Sequence, residues 1–146
     1  MKSIISIVFL LLFTVETYGT NVIQTTSFDR LPENARSFIH QYFPDDLISY
    51  IDVDKEFFSV KYEVVFTKGF EIEFDSNGRW LGVDCKKNAI PPGIIPEAIV
   101  NYVAVNFVDS YIVQVERRAF GYYEVELRSG LDIIFDKKGN FVRIED

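Results

Sequence analysis

The stretch FDSNGRW, residues 74–80, decides the fold, because a very similar stretch returns as FDKKGNF at residues 135–141. Each stretch has an Asp at the start and a Gly at the end of a polar segment between two short runs of apolar residues. An Asp at the start of a tight turn hydrogen-bonds its own backbone, and a Gly at its end supplies the positive φ of a bulged hairpin. Both stretches therefore predict hairpin turns and not a catalytic motif.

The similarity extends well beyond these turns. With a shift of 135 − 74 = 61 residues, YEV at 62–64 falls on YEV at 123–125. Further upstream the shift is 96 − 32 = 64 residues, which aligns PE at 32–33 with PE at 96–97. Repeats on this scale have to be identified before a fold is assigned. We interpret the pattern as an internal duplication whose second copy has lost three residues.

Each copy reads as one helix followed by four strands. Pro-Glu opens a segment whose apolar residues have the spacing of a one-faced helix, at 31–43 and again at 95–107. Four segments with period-two alternation follow, which is typical of antiparallel strands with one buried and one solvated face. These segments lie at about 47–53, 57–67, 70–74 and 79–84, and at about 111–117, 122–128, 131–135 and 140–144.

The predicted fold class is therefore α+β. It is a tandem duplication of a helix plus a four-stranded antiparallel meander, and the two copies form an eight-stranded sheet with both helices on one face. One copy alone would be marginally stable. The predicted divisions are a signal peptide at 1–19, a first repeat at 20–84, a Pro-rich linker at 85–94 and a second repeat at 95–146.

The N-terminal segment predicts export. Lys2 precedes an apolar run at 4–13, and a short polar stretch ends at Gly19, which is the pattern of a secretory signal peptide. No later apolar run is long enough to span a bilayer. The predicted location is therefore periplasmic or secreted. The single cysteine, Cys85, cannot form an internal disulfide, and burial is the expected state of its thiol.

The composition narrows the classes of partner. The net charge is −7 and basic clusters are absent, which argues against binding to nucleic acid or anionic membrane surfaces. Aromatic residues make up 16% of the chain, as expected of a packed globular protein and not of a disordered one. A protein partner is the remaining expectation.

The ordered motifs resemble the PepSY-like family of exported bacterial proteins, which is also described as beta-lactamase-inhibitor-like. The resemblance implies a small periplasmic or surface protein of gut-type Bacteroidetes, whose relatives mostly have no assigned function. It also implies a tandem arrangement of helix and sheet similar to that of true beta-lactamase inhibitor protein. That inhibitor holds an enzyme with its concave sheet face. The second copy departs at Phe141, where a family-style Trp would lie. The matching residues are 62–64, Gly69, 74–75, Gly78, Trp80, 83–85 and 95–96.

The residues predict no enzyme. His40 is the only histidine, so neither a histidine-based triad nor a two-histidine metal site is easily built. The acidic run beginning at Asp52 approaches a calcium-loop pattern, but Phe57 stands where the sharp turn demands Gly. Catalytic, metal and cofactor sites are accordingly predicted as none.

What remains is the solvated face of the sheet, on the side away from the helices. Ordinary solvation is one interpretation of it. The more specific interpretation is an acidic docking surface with aromatic anchors. The protein would then be a non-enzymatic binding or inhibitor-like module. A structural protein that self-associates is the alternative function. The candidate partner-binding residues are Lys61, Glu63, Glu71, Glu73, Trp80, Tyr122, Glu124, Glu126, Arg128 and Asp132.

Overall fold

A computed structural model describes residues 21–145, and the chain divides into two compact units, one ending at Cys85 and one beginning at Lys86. The predicted signal peptide, 1–19, lies outside the described residues. Each unit contains one α-helix and a set of strands that pair antiparallel with their neighbours in chain order. The predicted α+β class with antiparallel strands is confirmed.

The first unit places one helix against five strands. Helix α1 contributes Ala35 and Ile39 to a core that also contains Ile51, Val64 and Ile72, all at most 4% exposed. The elements in chain order are β1 (Asn21–Thr25), a one-turn 3-10 helix (Phe28–Arg30), α1 (Glu33–Tyr42), β2 (Ile48–Lys55), β3 (Val60–Phe66), β4 (Glu71–Phe74) and β5 (Trp80–Asp84).

The second unit repeats the order of helix and strands. Helix α2 contributes Ile99 and Val103, which are buried with Val115, Val125 and Ile133 of the strands. The elements are α2 (Glu97–Asn106), β6 (Ile112–Arg117), a one-turn 3-10 helix (Ala119–Gly121), β7 (Tyr123–Leu127), β8 (Asp132–Phe135) and β9 (Phe141–Glu145). Between residues 21 and 145, no helix is long and apolar enough to cross a membrane.

The predicted hairpin turns form through their aspartates. Asp75 Oδ1 accepts hydrogen bonds from the backbone N–H groups of Asn77 and Arg79, both at 2.9 Å. Asp136 Oδ1 accepts the equivalent pair from Lys138 and Asn140, at 2.8 and 2.9 Å. Because one side chain satisfies two backbone donors, residues of the turn itself hold the turn in place.

The prediction of eight strands was wrong by one. The described residues contain nine, because Asn21–Thr25 pairs with β2 along its whole length, from Asn21 opposite Lys55 to Thr25 opposite Ile51. This segment lies just after the predicted signal peptide and before the first helix, outside the repeat that defined the other strands. The first unit therefore has an additional edge strand.

The segment predicted as a linker belongs with the second unit. Ile90 N–H donates to the Ile112 carbonyl of β6 at 3.0 Å, and Ile90, Ile94 and Ile95 are all at most 9% exposed. Its Pro-Pro-Gly sequence gives a turned path, and its isoleucines extend the core of the second unit. The chain passes from one unit to the next immediately after Cys85.

Candidate functional site

The strands of the first unit separate apolar and acidic side chains onto two faces. Val64 of β3 lies opposite Ile72 of β4, and both are fully buried on the side of α1. Their chain neighbours Glu63 and Glu73 lie opposite each other and point the other way. Successive strand residues alternate between faces, so carboxylates collect on the side away from the helix.

Two rows of side chains cross this outer face. In the first, Asp52, Glu63 and Glu73 are consecutive cross-strand neighbours, and Gln24 of β1 donates to Asp52 Oδ1 at 3.1 Å. In the second, Tyr50, Val65, Glu71 and Asp84 follow one another across β2 to β5. We call the outer side of the first unit the acidic face, and its charged residues are Asp52, Asp54, Lys61, Glu63, Glu71, Glu73 and Asp84.

Lys61 offsets part of the negative charge. Its Nζ lies 3.5 Å from Glu73 Oε1, and it is the cross-strand neighbour of Asp54. Both partners of the pair with Glu73 are partly exposed, so its contribution to stability is modest. The face keeps six carboxylates against this one ammonium group. The structure thus brings Lys61, Glu63, Glu71 and Glu73 together, in the relative positions that alternation predicted.

Tyr50 is a member of this face that the sequence analysis missed. Burial raises the pKa of its phenol, and the negative charges of Glu63, Asp52 and Glu71 raise that pKa further. The signal was present, since Tyr50, Asp52 and Asp54 alternate along β2.

Trp80 lies on the other side of the sheet. It is 7% exposed, its ring centroid is 6.5 Å from that of Phe38 in α1, and its cross-strand partner is the buried Phe74. The ladder between β4 and β5 is irregular here, because Glu73 pairs with Gly82 and Phe74 with Trp80, which leaves Leu81 as an extra residue. This bulge reverses the alternation that placed Trp80 on the outer face. Trp80 is a core residue.

The outer face of the second unit mixes charges of both signs, and two of its predicted docking residues are not available there, because Glu124 and Asp132 are only 4% and 5% exposed. One row contains Gln114, Glu126, Asp132 and Glu145, and the other contains Glu116, Glu124, Ile134 and Arg143. Arg118 pairs with Glu124 and has its Nε 3.7 Å from Glu116. Burial, and then the charge of Glu145, raise the pKa of the Asp132 carboxyl.

Tyr122 and Arg128 flank β7 and differ in their surroundings. Tyr122 is 36% exposed and directly precedes the strand. Arg128 Nη1 donates to Tyr111 Oη at 2.9 Å, and its guanidinium lies over the Tyr111 ring. Tyr111 lines a cavity beside α2, so the structure places the Arg128 head group near that cavity and not over the carboxylate rows.

The residues considered for chemistry stay apart. His40 is exposed on α1, where its ring meets the edge of Phe28 at 5.1 Å, and Cys85 is buried. Within the part of the chain that the structure describes, no three His, Cys, Asp or Glu side chains are grouped so that they could hold a metal ion. The arrangement can attract cationic groups by its field.

Comparisons with known proteins found a matching family and solved structures with a similar fold. The family model described as "putative beta-lactamase-inhibitor-like, PepSY-like" matches residues 60–143. A crystal structure of a "putative periplasmic protein of unknown function" from Bacteroides vulgatus is 35% identical with a TM-score of 0.81, over 86% of this chain and 100% of that one. A "putative calcium-regulated periplasmic protein" from Bacteroides thetaiotaomicron is also 35% identical, with a TM-score of 0.81 over 86% of this chain and 98% of that one. No curated protein matches the chain.

Proposed function

The chain belongs to the PepSY-like family, and from this premise we propose that it is an exported, non-enzymatic module that binds a protein partner through its acidic face. Because the family is described as inhibitor-like, the proposed binding would inhibit the partner. The partner that fits the face is a protein with a basic surface.

The opposition of Asp52, Glu63 and Glu73 is the observation that carries the proposal. Like charges directly across a strand pair destabilise a sheet by roughly 0.2–1 kcal/mol each. A row of three such side chains reduces stability in the free protein, and a cationic partner surface would relieve the repulsion on contact. Complementary potentials of this kind accelerate encounter and select partners.

Export is supported by two observations. The N-terminal residues have the pattern of a signal peptide, and the relatives in Bacteroides are described as periplasmic proteins. The non-enzymatic role is supported by the positions of the two side chains considered for chemistry, since His40 is exposed on α1 and the thiol of Cys85 is buried.

A calcium response of the acidic face is the second candidate function. The similar protein from B. thetaiotaomicron is described as "putative calcium-regulated", and the opposed carboxylates here provide the negative field that a divalent cation would screen. Extracellular calcium modules bind in the range of about 0.1–1 mM. At a few millimolar CaCl₂ we expect a higher melting temperature than in NaCl of equal ionic strength. Equal melting temperatures in the two salts would exclude this candidate.

The main proposal is tested with an immobilised chain beginning at Thr20 and a native envelope extract. The variant Glu63→Gln, Glu71→Gln, Glu73→Gln removes three charges from the acidic face and keeps the shapes of the side chains. The matched control Glu33→Gln, Asp45→Asn, Glu97→Gln removes three charges from exposed positions elsewhere. A protein retained by the wild type and the control, and lost by the face variant, supports the proposal. Retention that is equal in all three would place the contact elsewhere.

A further inference from the structure

The hairpin between β2 and β3 ends in two fully exposed phenylalanines. Phe57 is 99% exposed and Phe58 is 102% exposed. The Glu56 N–H donates to the Ser59 carbonyl at 3.0 Å, which closes the turn and directs both rings away from the strands. Two adjacent aromatic rings gain free energy when they move from water into an apolar environment, and exposed side chains of this kind characterise contact sites.

The second unit contains an apolar cavity of about 240 Å³ that is open on one side. Its walls are the 89–95 segment, helix α2 and the residues that lead into β6. Tyr111 stands in one wall, where its hydroxyl donates to the Lys87 carbonyl at 2.8 Å and accepts from Arg128 at 2.9 Å. The residues that give the cavity its apolar character include Ile90, Pro91, Pro92, Val100, Val103 and Ala104.

The volume of the cavity suits an aromatic ring. An apolar cavity of about 150 Å³ accepts benzene in another protein, so about 240 Å³ admits one phenylalanine ring with room for its Cβ. A cavity of this volume does not hold two rings. The second phenylalanine of the pair would therefore lie on the apolar rim, where Val100 is 44% exposed.

Charge distinguishes this hairpin from its counterpart in the second unit. Asp54, Lys55 and Glu56 precede the phenylalanine pair with a net charge of −1, whereas Arg117 and Arg118 precede the exposed Phe120. The guanidinium of Arg128 lies close to the cavity wall, because it donates to the hydroxyl of Tyr111, which lines the cavity. The more negative hairpin therefore complements this wall, and the arginine-flanked one does not.

We propose that the Phe57–Phe58 hairpin of one copy inserts into the α2 cavity of a second copy of this chain. The contact is heterologous, because it joins two different surfaces, so a pair of copies keeps one unused cavity on one copy and one unused hairpin on the other. Repetition of such a contact gives open chains of copies unless the geometry closes a ring. This self-association does not require the partner that we propose for the acidic face.

Sedimentation velocity of the chain beginning at Thr20 tests the proposal. We expect the mean mass of the wild type to rise with concentration up to about 1 mM, a range suited to a small interface. The variant Phe57→Ser, Phe58→Ser removes the inserted rings, and Ala104→Trp fills the cavity from an exposed helix position. Each should weaken association by roughly 100-fold, the effect expected when the central aromatic contact of an interface is lost.

The control is Phe120→Ser, which removes an equally exposed ring from the other hairpin and should associate like the wild type. A mixture of the two defective proteins gives the sharpest result. The serine variant keeps a cavity and the tryptophan variant keeps a hairpin, so together they should form dimers and nothing larger. Far-UV circular dichroism establishes that each variant is folded.

Two results would overturn the proposal. One is a wild type that remains monomeric up to about 1 mM. At that concentration, even a binding free energy of about −4 kcal/mol would produce detectable association. The other is association that persists unchanged in the serine and tryptophan variants, which would assign the contact to different surfaces.

Discussion

The hairpin turn at Gly78 lies directly against the backbone of Ala35 in the first turn of α1. A Cβ at Gly78 would be 2.7 Å from the Ala35 nitrogen, and the residue has a φ of +78°. Asn34 Nδ2 also donates to the carbonyl of the neighbouring Asn77 at 3.0 Å. The turn that repeats in the sequence is thus the point where the sheet meets the helix of its own unit.

Gly78→Ala should destabilise the protein by about 2–5 kcal/mol. The left-handed backbone costs an L-residue roughly 1–2 kcal/mol, and the close approach to the Ala35 nitrogen adds strain of about 1–3 kcal/mol. Gly69→Ala is the matched control, because Gly69 has a φ of +87° but open space around the added methyl group. Urea unfolding at pH 7 measures both. Equal losses would show that the contact with α1 contributes nothing.

The turn at Asp136 should make stability dependent on acid pH. Hydrogen bonds from the backbone and the side chain of Asn140 hold the pKa of Asp136 below its usual value of 3.8. A lowered native pKa means that the unfolded chain binds the proton more readily, so this contribution is present above pH 3.8 and is lost as pH falls through the native pKa.

The variant Asp136→Ala tests this contribution. It should be less stable than the wild type in urea at pH 7, and the difference should shrink as the pH is lowered below the unfolded pKa of about 3.9. A difference that stays constant over this range would mean that the ionised carboxylate has no special role in the turn.

Most of the fold was predictable because each element has a local cause. The aspartates and glycines of the turns at 75–78 and 136–139 specify hairpins by their own hydrogen bonds and φ angles. Pro-Glu and the apolar spacing specify the helices. Strand β1 was missed because its pairing with β2 is a long-range contact, and its five residues carry no alternation of apolar and polar side chains.

The candidate site was predictable only where strands are regular. Alternation correctly placed Glu63, Glu71 and Glu73 on one face. It failed at Trp80, because the bulge at Leu81 depends on the pairing of β4 with β5, which no single segment encodes. The partner of Arg128 was not predictable either, since its hydrogen bond to Tyr111 joins residues 17 positions apart through the packing of the second unit.

The charges of the acidic face should change stability in opposite directions. Glu63→Gln removes the central charge between Asp52 and Glu73, so we expect the free energy of unfolding to rise by about 0.5 kcal/mol. Lys61→Gln removes the ammonium group that offsets Glu73, so a fall of about 0.5 kcal/mol is expected. Urea unfolding at low ionic strength measures both, and added NaCl should reduce both effects. A destabilising Glu63→Gln would show that repulsion does not govern this face.

Tyr50 should make the protein lose stability in alkali. Its folded-state pKa is raised, first by burial and then by Glu63, Asp52 and Glu71. Above the unfolded pKa of about 10, the native state therefore holds a proton that the unfolded chain has lost. Stability falls from that pH upward, until the pH passes the folded pKa. Tyr50→Phe cannot ionise, so its unfolding free energy should decline less steeply between pH 9 and 11, to be compared at about one-unit intervals by urea unfolding.

Tyr122→Phe is the control for this prediction, because it removes a hydroxyl from an exposed tyrosine that lies outside the acidic face of the first unit. If it declined as gently as Tyr50→Phe, the effect would belong to the loss of any tyrosine hydroxyl and not to Tyr50. The double variant Tyr50→Phe, Glu71→Gln tests whether the charge of Glu71 acts through the phenol. Removing this carboxylate should have little further effect on the alkaline slope once the phenol is gone. If Tyr50→Phe and the wild type lose stability in parallel, the carboxylates of the acidic face do not act on this phenol.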